Sequence, residues 1–349
     1  MNDRSQPAGF GLSRRGALGS MAGLMAGGAA AFGASAAARG VDDVAPPGSG
    51  AAAAGAAPAE RYAMKKSINQ WAFPYPQKMS LERCLRLAKA AGFDAIELNY
   101  DLDNDLSPNH GTADYARIRK LCDDIGLAIS GVCSFLFWPY PLTSHDPAKR
   151  KRALELASLM TQCAHDLGTE NLLVVPGAVH IPWRDDYEPV PNDVCDARAR
   201  EAVGSLLPEA ERLGVNLNIE NIFFNGYLMT PGEMIDFVDS FSSQRVHVHF
   251  DTGNIMMFQF PEHWIAQLGK RIRNVHLKEF TKKGTDYSLE TFRPLLDGTT
   301  NWPAVLEAFD RIGYHEYLTF EYFHPYAHWP EALIYQTADS LDRMLGLKA

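Results

Sequence analysis

A single (β/α)8 barrel is the fold class this sequence predicts, and three observations carry it. From residue 65 onward, strand-like and helix-like segments alternate eight times in order. Four consecutive strand-like segments in the second half run into side chains that can bind a metal or carry a proton: Glu220, Asp251, His276 and Glu321. The Gly-rich phosphate-binding turn that an open doubly wound sheet places after its first strand is missing. In a parallel barrel the carboxyl ends of all strands converge on one mouth, so side chains at those ends share one small space.

Each element has its own signal. Ser67-Ile68-Asn69-Gln70-Trp71 reads as the first strand. Ser80 caps a helix that runs to Ala91 and stops at Gly92. Asp94 to Asn99 is the second strand, and Asp114 to Ile125 a helix stopped by Gly126. Leu127 to Val132 is the third strand. Asp146-Pro147 opens a long helix to Leu167, stopped by Gly168. Asn171 to Pro176 is the fourth strand, followed by a helix over Asp196 to Leu213 and its stop, Gly214. The fifth strand, from Val215, ends at Glu220, and Thr230-Pro231 opens the helix to Val238. The sixth strand ends at Asp251, and Pro261 to Leu268 is helical. Arg273 to Lys278 is the seventh strand. Asn301-Trp302-Pro303 starts a helix to Ile312, the eighth strand ends at Glu321, and Pro330 to Leu345 closes the ring.

The sixth strand shows the pattern most plainly. Val246, Val248 and Phe250 alternate with His247, His249 and Asp251, the two-residue period of a strand with one apolar face and one polar face. An unpaired buried charge is costly, so the acid at its tip calls for a partner. Three carboxylates gathered at one mouth repel one another unless a cation sits among them. Oxygen donors with one imidazole suit a divalent ion: Mn2+ is favoured, with Mg2+, Co2+ or Zn2+ as alternatives.

Composition bounds the rest. The chain has 349 residues, of which 46% are hydrophobic and 21% charged, as in a soluble globular protein. The net charge of -9 speaks against a nucleic-acid partner, whose binders present a basic face. Cys84, Cys122, Cys133, Cys163 and Cys195 show no ligand-like spacing and read as buried thiols. At the N-terminus, Ser13-Arg14-Arg15-Gly16-Ala17-Leu18 precedes a Gly/Ala/Met-rich apolar run, and Ala34-Ser35-Ala36 offers a small-residue cleavage site. Residues 1–38 therefore read as a twin-arginine-type signal peptide, which makes the export machinery a partner and the periplasm the destination. A chance arginine pair or an uncleaved anchor are the weaker readings. Residues 39–64 are an Ala/Gly/Pro-rich linker and residues 65–349 the barrel.

With these residues on the page, the chain from Lys65 onward resembles the xylose-isomerase-like barrel superfamily, in particular its sugar isomerase/epimerase group with the ketose 3-epimerases. Ile219-Glu220-Asn221, Phe250-Asp251-Thr252-Gly253-Asn254, Val275-His276-Leu277-Lys278 and Thr319-Phe320-Glu321 carry the resemblance, with Trp138-Pro139-Tyr140-Pro141 and Val175-Pro176-Gly177. It implies that Glu220, Asp251, His276 and Glu321 bind one divalent metal, and that Glu220 and Glu321 also face the carbon that loses and regains a proton. The chain departs from the epimerases at three places. Asn254 stands where they commonly carry a substrate-binding His, Lys282 where they often carry Arg, and Gly226 where they carry a further acid.

The chemistry expected is proton abstraction beside the carbonyl of an unphosphorylated sugar or polyol ketone, with the enediolate stabilised by the metal. Glu220 and Glu321 are the catalytic candidates, and His180, Asn254, Lys278, Trp71 and Trp138 the substrate-binding ones. Four of them have a plainer alternative. Lys278 can be a salt-bridge partner of Glu321 or Glu220, His180 a surface residue, and Trp71, Phe135 and Trp138 the wall of the barrel top. His247 and His249 read as core polar groups, and Glu97 and Asn99 as hydrogen-bonding groups within the mouth. A lyase acting on a keto-sugar or keto-glycoside shares the first step and is the alternative activity. A three-metal endonuclease and a non-catalytic binding barrel fit less well. Barrels of this kind often pair, which leaves a homo-oligomer open.

Overall fold

The computed structural model describes residues 62–223, 226–282 and 288–348. The expected signal peptide and the linker up to Arg61 lie outside them. Tyr62 and Met64 are already buried against the core, so packing begins just before Lys65.

The strands are β1 (Lys65–Asn69), β2 (Ala95–Asn99), β3 (Ala128–Cys133), β4 (Asn171–Val174), β5 (Asn216–Glu220), β6 (Val246–Asp251) and β7 (Ile272–Leu277). A short antiparallel pair follows, β8 (Glu279–Phe280) with β9 (Phe292–Arg293), and then β10 (Tyr317–Phe320). β1 to β7 and β10 pair in parallel, in chain order, and β10 closes the barrel on β1 through Ile68↔Phe320. The helices α1 (Leu81–Ala91), α2 (Thr112–Ile125), α3 (Pro147–Leu167), α4 (Asn192–Leu213), α5 (Pro231–Asp239), α6 (Pro261–Leu268), α7 (Trp302–Arg311) and α8 (Pro330–Leu345) alternate with those strands.

Local chemistry sets these boundaries. Asp146 accepts the Ala148 N–H at 2.8 Å and starts α3, and Gly168 ends it at a φ of +80°, which glycine adopts without strain. Thr230 and Glu233 cap α5 reciprocally. Several boundaries differ from the sequence reading by two residues or more, three of them for a visible reason. The first strand ends at Asn69, whose side chain accepts the Trp71 N–H at 2.8 Å and turns Gln70–Ala72 into a 3-10 turn. α4 begins at Asn192, directly after Pro191, four residues before the expected start. β4 stops at Val174, ahead of Pro176, which has no N–H to donate.

Alternation along the strands separates two environments. Ile68, Ile96, Leu98, Val132, Leu172, Val174, Leu217, Ile219, Val248, Phe250, Val275, Leu277, Leu318 and Phe320 are fully buried and form the apolar layer of the sheet. Most of the intervening positions are polar, Leu173 being an exception, and several meet across the barrel interior. Ser67 and Ser130 Oγ atoms lie 2.8 Å apart, Asn218 donates to Asn171 at 2.9 Å, and Asn171 donates to the Ser130 carbonyl at 3.0 Å. All five cysteines are buried and free, as read from their spacing.

The β8–β9 insertion was not evident in the sequence. Glu279 holds it together. Its buried carboxylate accepts N–H groups from Phe280 (3.1 Å), Thr300 (3.2 Å) and Leu296 (3.1 Å), and the Trp302 indole N–H at 2.6 Å. Gly298 packs so closely on this carboxylate that a Cβ there would collide with it. Replacing Glu279 by Ala strands these donors in a dry site. The variant is expected to lose about 3–5 kcal/mol and to melt roughly 10 °C lower, with unchanged far-ultraviolet circular dichroism at low temperature. A melting temperature equal to the wild type's contradicts this account.

Candidate metal and active site

β5, β6, β7 and β10 deliver the four expected side chains to one place. Glu220 and Asp251 are the last residues of β5 and β6, His276 is the penultimate residue of β7, and Glu321 follows β10 directly. All four are buried, and one ligand atom from each lies within 4.8 Å of the others. His276 Nδ1 stands at the centre, 3.4 Å from Glu220 Oε1, 3.4 Å from Glu321 Oε2 and 3.9 Å from Asp251 Oδ2. His276 Nδ1, Asp251 Oδ2 and Glu321 Oε2 receive no hydrogen bond of good geometry among the described residues. Buried polar atoms left open toward one another are what a cation site requires, and three carboxylates with one imidazole fit a divalent ion.

The electrostatics say the same. Burial pushes Glu220 up to about 7, with Glu321 and Asp251 adding to the rise and His276 opposing it. Burial also raises Asp251, although Lys278 opposes it. At Glu321 burial acts upward, but the Lys278 ammonium and His276 outweigh it and hold the carboxyl down at about 2. His276 loses basicity through burial and more than regains it from Glu321 and Glu97, so it ends well above the ordinary imidazole range. Lys278 is raised likewise: burial lowers it, and Asp251, Glu321 and Glu220 more than compensate. The cluster carries more negative charge than its dry surroundings tolerate.

The four side chains are held from behind. Glu97, at zero exposure on β2, meets His276 Nε2 at 2.5 Å across the barrel. Asn69 donates to the same Glu97 oxygen at 2.7 Å, and Asn274 to the other at 3.4 Å. With Nε2 engaged in this way, Nδ1 is the nitrogen left for the cluster. Asp251 Oδ1 accepts the N–H groups of Gly253 and Asn254, each at 2.8 Å. Asn221 clamps the Asp251 backbone, accepting its N–H at 2.9 Å and donating to its carbonyl at 2.8 Å.

The other expected residues divide. Lys278 joins the cluster: its Nζ is 2.9 Å from Asp251 Oδ2, contacts Glu321 Oε2, and donates to Asn254 Oδ1 at 3.1 Å. Asn254 is thereby part of the site. Trp71 belongs to an aromatic wall, with ring centroids 4.2 Å from Phe135 and 5.5 Å from Phe323. The Phe323 ring also lies 4.9 Å from Lys278 Nζ, which connects the wall to the cluster. Trp138 is elsewhere: it packs edge-on against Trp183 at 5.0 Å and lines a cleft with Ser144, His145, Lys149, Arg184 and Tyr187. His180 is exposed on the loop after β4, its ring 6.5 Å from that of Tyr187, and no hydrogen bond or ion pair ties it to the cluster among the described residues. His247 bonds to the Gln244 carbonyl at 3.0 Å, away from the mouth, whereas His249 is fully buried with its ring 4.1 Å from that of His276. Sequence reasoning missed Phe323, which stands two residues past Glu321 as Lys278 does past His276. It also missed the roles of Asn69 and Asn274, whose positions carry no local signal.

Comparison with known proteins agrees with this geometry. Residues 85–344 match the family described as xylose isomerase-like TIM barrel. The chain is 27% identical over 251 residues to L-ribulose 3-epimerase of Mesorhizobium japonicum, covering 70% of this chain and 75% of that protein. It is 25% identical over 240 residues to L-ribulose-5-phosphate 3-epimerase of Shigella flexneri, covering 67% of this chain and 78% of that one. Among solved structures, a D-psicose 3-epimerase determined in the presence of D-fructose shares the fold at a TM-score of 0.67 and 20% identity, over 81% of this chain and 100% of that one. An L-ribulose 3-epimerase structure does so at 0.65 and 21% identity, over 81% and 94%. The eight-stranded barrel, the match over most of its length and the buried strand-end cluster place this chain in the xylose isomerase-like TIM barrel family.

Proposed function

We propose that this chain is a divalent-metal-dependent epimerase or isomerase of an unphosphorylated ketose or related polyol ketone. The observation that carries the reading is the gathering of Glu220, Asp251, His276 and Glu321, all buried, with one ligand atom of each within 4.8 Å of the others. These four would hold the ion. When bound, it would polarise the carbonyl and neighbouring hydroxyl oxygens of the ketose and so acidify the C–H bond between them.

The remaining work falls to the protein. Glu220 and Glu321 come from strands separated by β6 and β7, and each has an oxygen 3.4 Å from His276 Nδ1, so they flank the site from two sides. A carbon held between them can lose its proton to one carboxylate and regain a proton from the other with inverted configuration. Glu97 holds His276 by Nε2 and leaves Nδ1 facing the three carboxylates that would hold the ion. Trp71, Phe135 and Phe323 offer apolar ring faces to the C–H face of a sugar beside the cluster. The absence of a Gly-rich phosphate turn supports an unphosphorylated substrate. Export would also favour one, and we include export by the twin-arginine route in the proposal.

Three measurements test this reading. Metal analysis of the purified chain is expected to find about one divalent ion, absent from Asp251→Asn and His276→Ala, with Glu97→Ala weakening affinity about 10–100-fold. No ion in the wild type after reconstitution with Mn2+ would sink the reading. In D2O with excess Mn2+, the wild type should incorporate deuterium into a ketose at the epimerised carbon. Glu220→Gln should slow this by about 10²–10⁴-fold; exchange at the wild-type rate would remove Glu220 from the chemistry. Replacing Arg14 and Arg15 by Lys together should leave the uncut chain in the cytoplasmic fraction. Unchanged fractionation speaks against export by this route.

A further inference from the structure

We propose that Lys278 is a built-in cation that stands in for the divalent ion, holding Asp251 and Glu321 together when no ion is bound and setting how tightly an ion is taken. The inference rests on the metal reading above. Its starting point is a conflict over two atoms. Lys278 Nζ lies 2.9 Å from Asp251 Oδ2 and contacts Glu321 Oε2. The same two oxygens lie 3.9 Å and 3.4 Å from His276 Nδ1, inside the group of atoms that would ligate the ion. A dication and an ammonium on the same pair of oxygens repel each other, so occupancy by one opposes the other.

The position of the ammonium is built, not incidental. Lys278 is 4% exposed. Its backbone is tied to Thr252, which accepts its N–H at 3.0 Å and donates to its carbonyl at 3.2 Å. Gly253 lies so close that a Cβ there would come within 2.8 Å of Lys278 Cβ and 2.9 Å of its Cγ, so only a residue without a side chain lets the lysine stem pass. The rings of Phe292 and Phe323 each lie 4.9 Å from Nζ. Asn254 Oδ1 supplies the third partner, at 3.1 Å. The chain therefore places a fixed positive charge where three carboxylates need one, and that charge does not depend on metal supply. A bound dication would compete for these two oxygens, and the displaced ammonium would be free to meet an oxygen of the substrate. The cost of displacing Lys278 is subtracted from the affinity of the site.

The test is calorimetric titration with Mn2+, together with thermal unfolding with and without chelator, on the intact wild-type chain, Lys278→Met and Lys278→Arg. Lys278→Met is expected to bind Mn2+ at least about tenfold more tightly than the wild type. In chelator it should melt roughly 10 °C below the wild type, because two buried carboxylates lose their partner. Adding Mn2+ should close that gap. Lys278→Arg keeps the charge and should follow the wild type in its stability in chelator. If Lys278→Met folds only with Mn2+ present, it is purified loaded and then stripped: unfolding on stripping supports the proposal, and a stripped form as stable as the wild type's overturns it. Equal or weaker Mn2+ binding by Lys278→Met, with the wild type binding normally, overturns the proposal and leaves the metal site standing. A wild type that binds no Mn2+ overturns the metal reading and this proposal together.

Discussion

The mutual repulsion of Glu220, Asp251 and Glu321, held dry at the mouth of a closed barrel, is the interaction that the surrounding structure answers. Two like charges at ~4 Å cost about 4 kcal/mol each pair at the effective dielectric of a protein site. Hydrophobic packing around the cluster cannot offset this, because burial raises the cost further. The answer is local and cationic. His276 and Lys278, both from the end of β7, stand among the acids, and both are made more basic by them. One segment, Val275 to Lys278, thus delivers the two groups that let the other strand ends be acidic.

That arrangement depends on the polar interior beneath it. Barrel interiors are commonly filled by branched aliphatic side chains. Here Ser67, Asn69, Glu97, Ser130, Asn218, His249, Asn274 and Thr319 are buried inside the ring. Two of them, Asn69 and Asn274, hold Glu97, and Glu97 holds His276. Support for a side chain of the second half therefore comes from β1 and β2, on the other side of β10. A closed barrel makes that possible: every inward side chain is within reach of others across the lumen, so a residue early in the chain can orient one near its end. His249 shows the cost of the design. It is kept uncharged by burial, with the charges of His276 and Lys278 adding to the effect, and both of its nitrogens lack a hydrogen-bond partner among the described residues.

What could be read from the sequence follows from the range of the forces involved. Period-two alternation, N-caps and glycine stops are local, and they located eight strands and eight helices with most ends within a residue or two of the structure. The strand-end acids and His276 were legible because a barrel brings strand ends together whatever the intervening chain does. The reading of Lys278 required only counting two residues from His276. Detail was lost where a tertiary contact decides. Asn69 ends β1 by capping a turn, and Glu279 organises the β8–β9 insertion through partners up to 23 residues away. Trp138 and His180 were placed by their loops alone, and loops do not say which way a side chain turns. Trp138 turned to Trp183 and His180 to solvent.

The departures from the ketose 3-epimerases take on a common meaning in this frame. An imidazole three residues after the metal Asp would occupy the place of Asn254. Here the Asn254 amide is already committed, its oxygen accepting from Lys278 and its nitrogen donating to the Asn221 carbonyl at 3.0 Å. Asn221 in turn clamps the Asp251 backbone. Asn254 and Lys278 therefore act as a pair: the amide oxygen positions the ammonium beside Asp251 and Glu321. The third departure is also steric. A Cβ on Gly226 would collide with the Ile222 side chain, and the Gly226 carbonyl accepts the Val179 N–H at 2.5 Å, tying the loop after β5 to the loop after β4. A side chain at that position requires the Ile222 side chain to move. The groups that would hold the ion in the proposed function are thus separable in this fold from those on the loops beyond the strand ends. The first set sits at four strand ends and the second on the loops beyond them, so under the proposed function the proton chemistry can persist while the molecule that undergoes it changes.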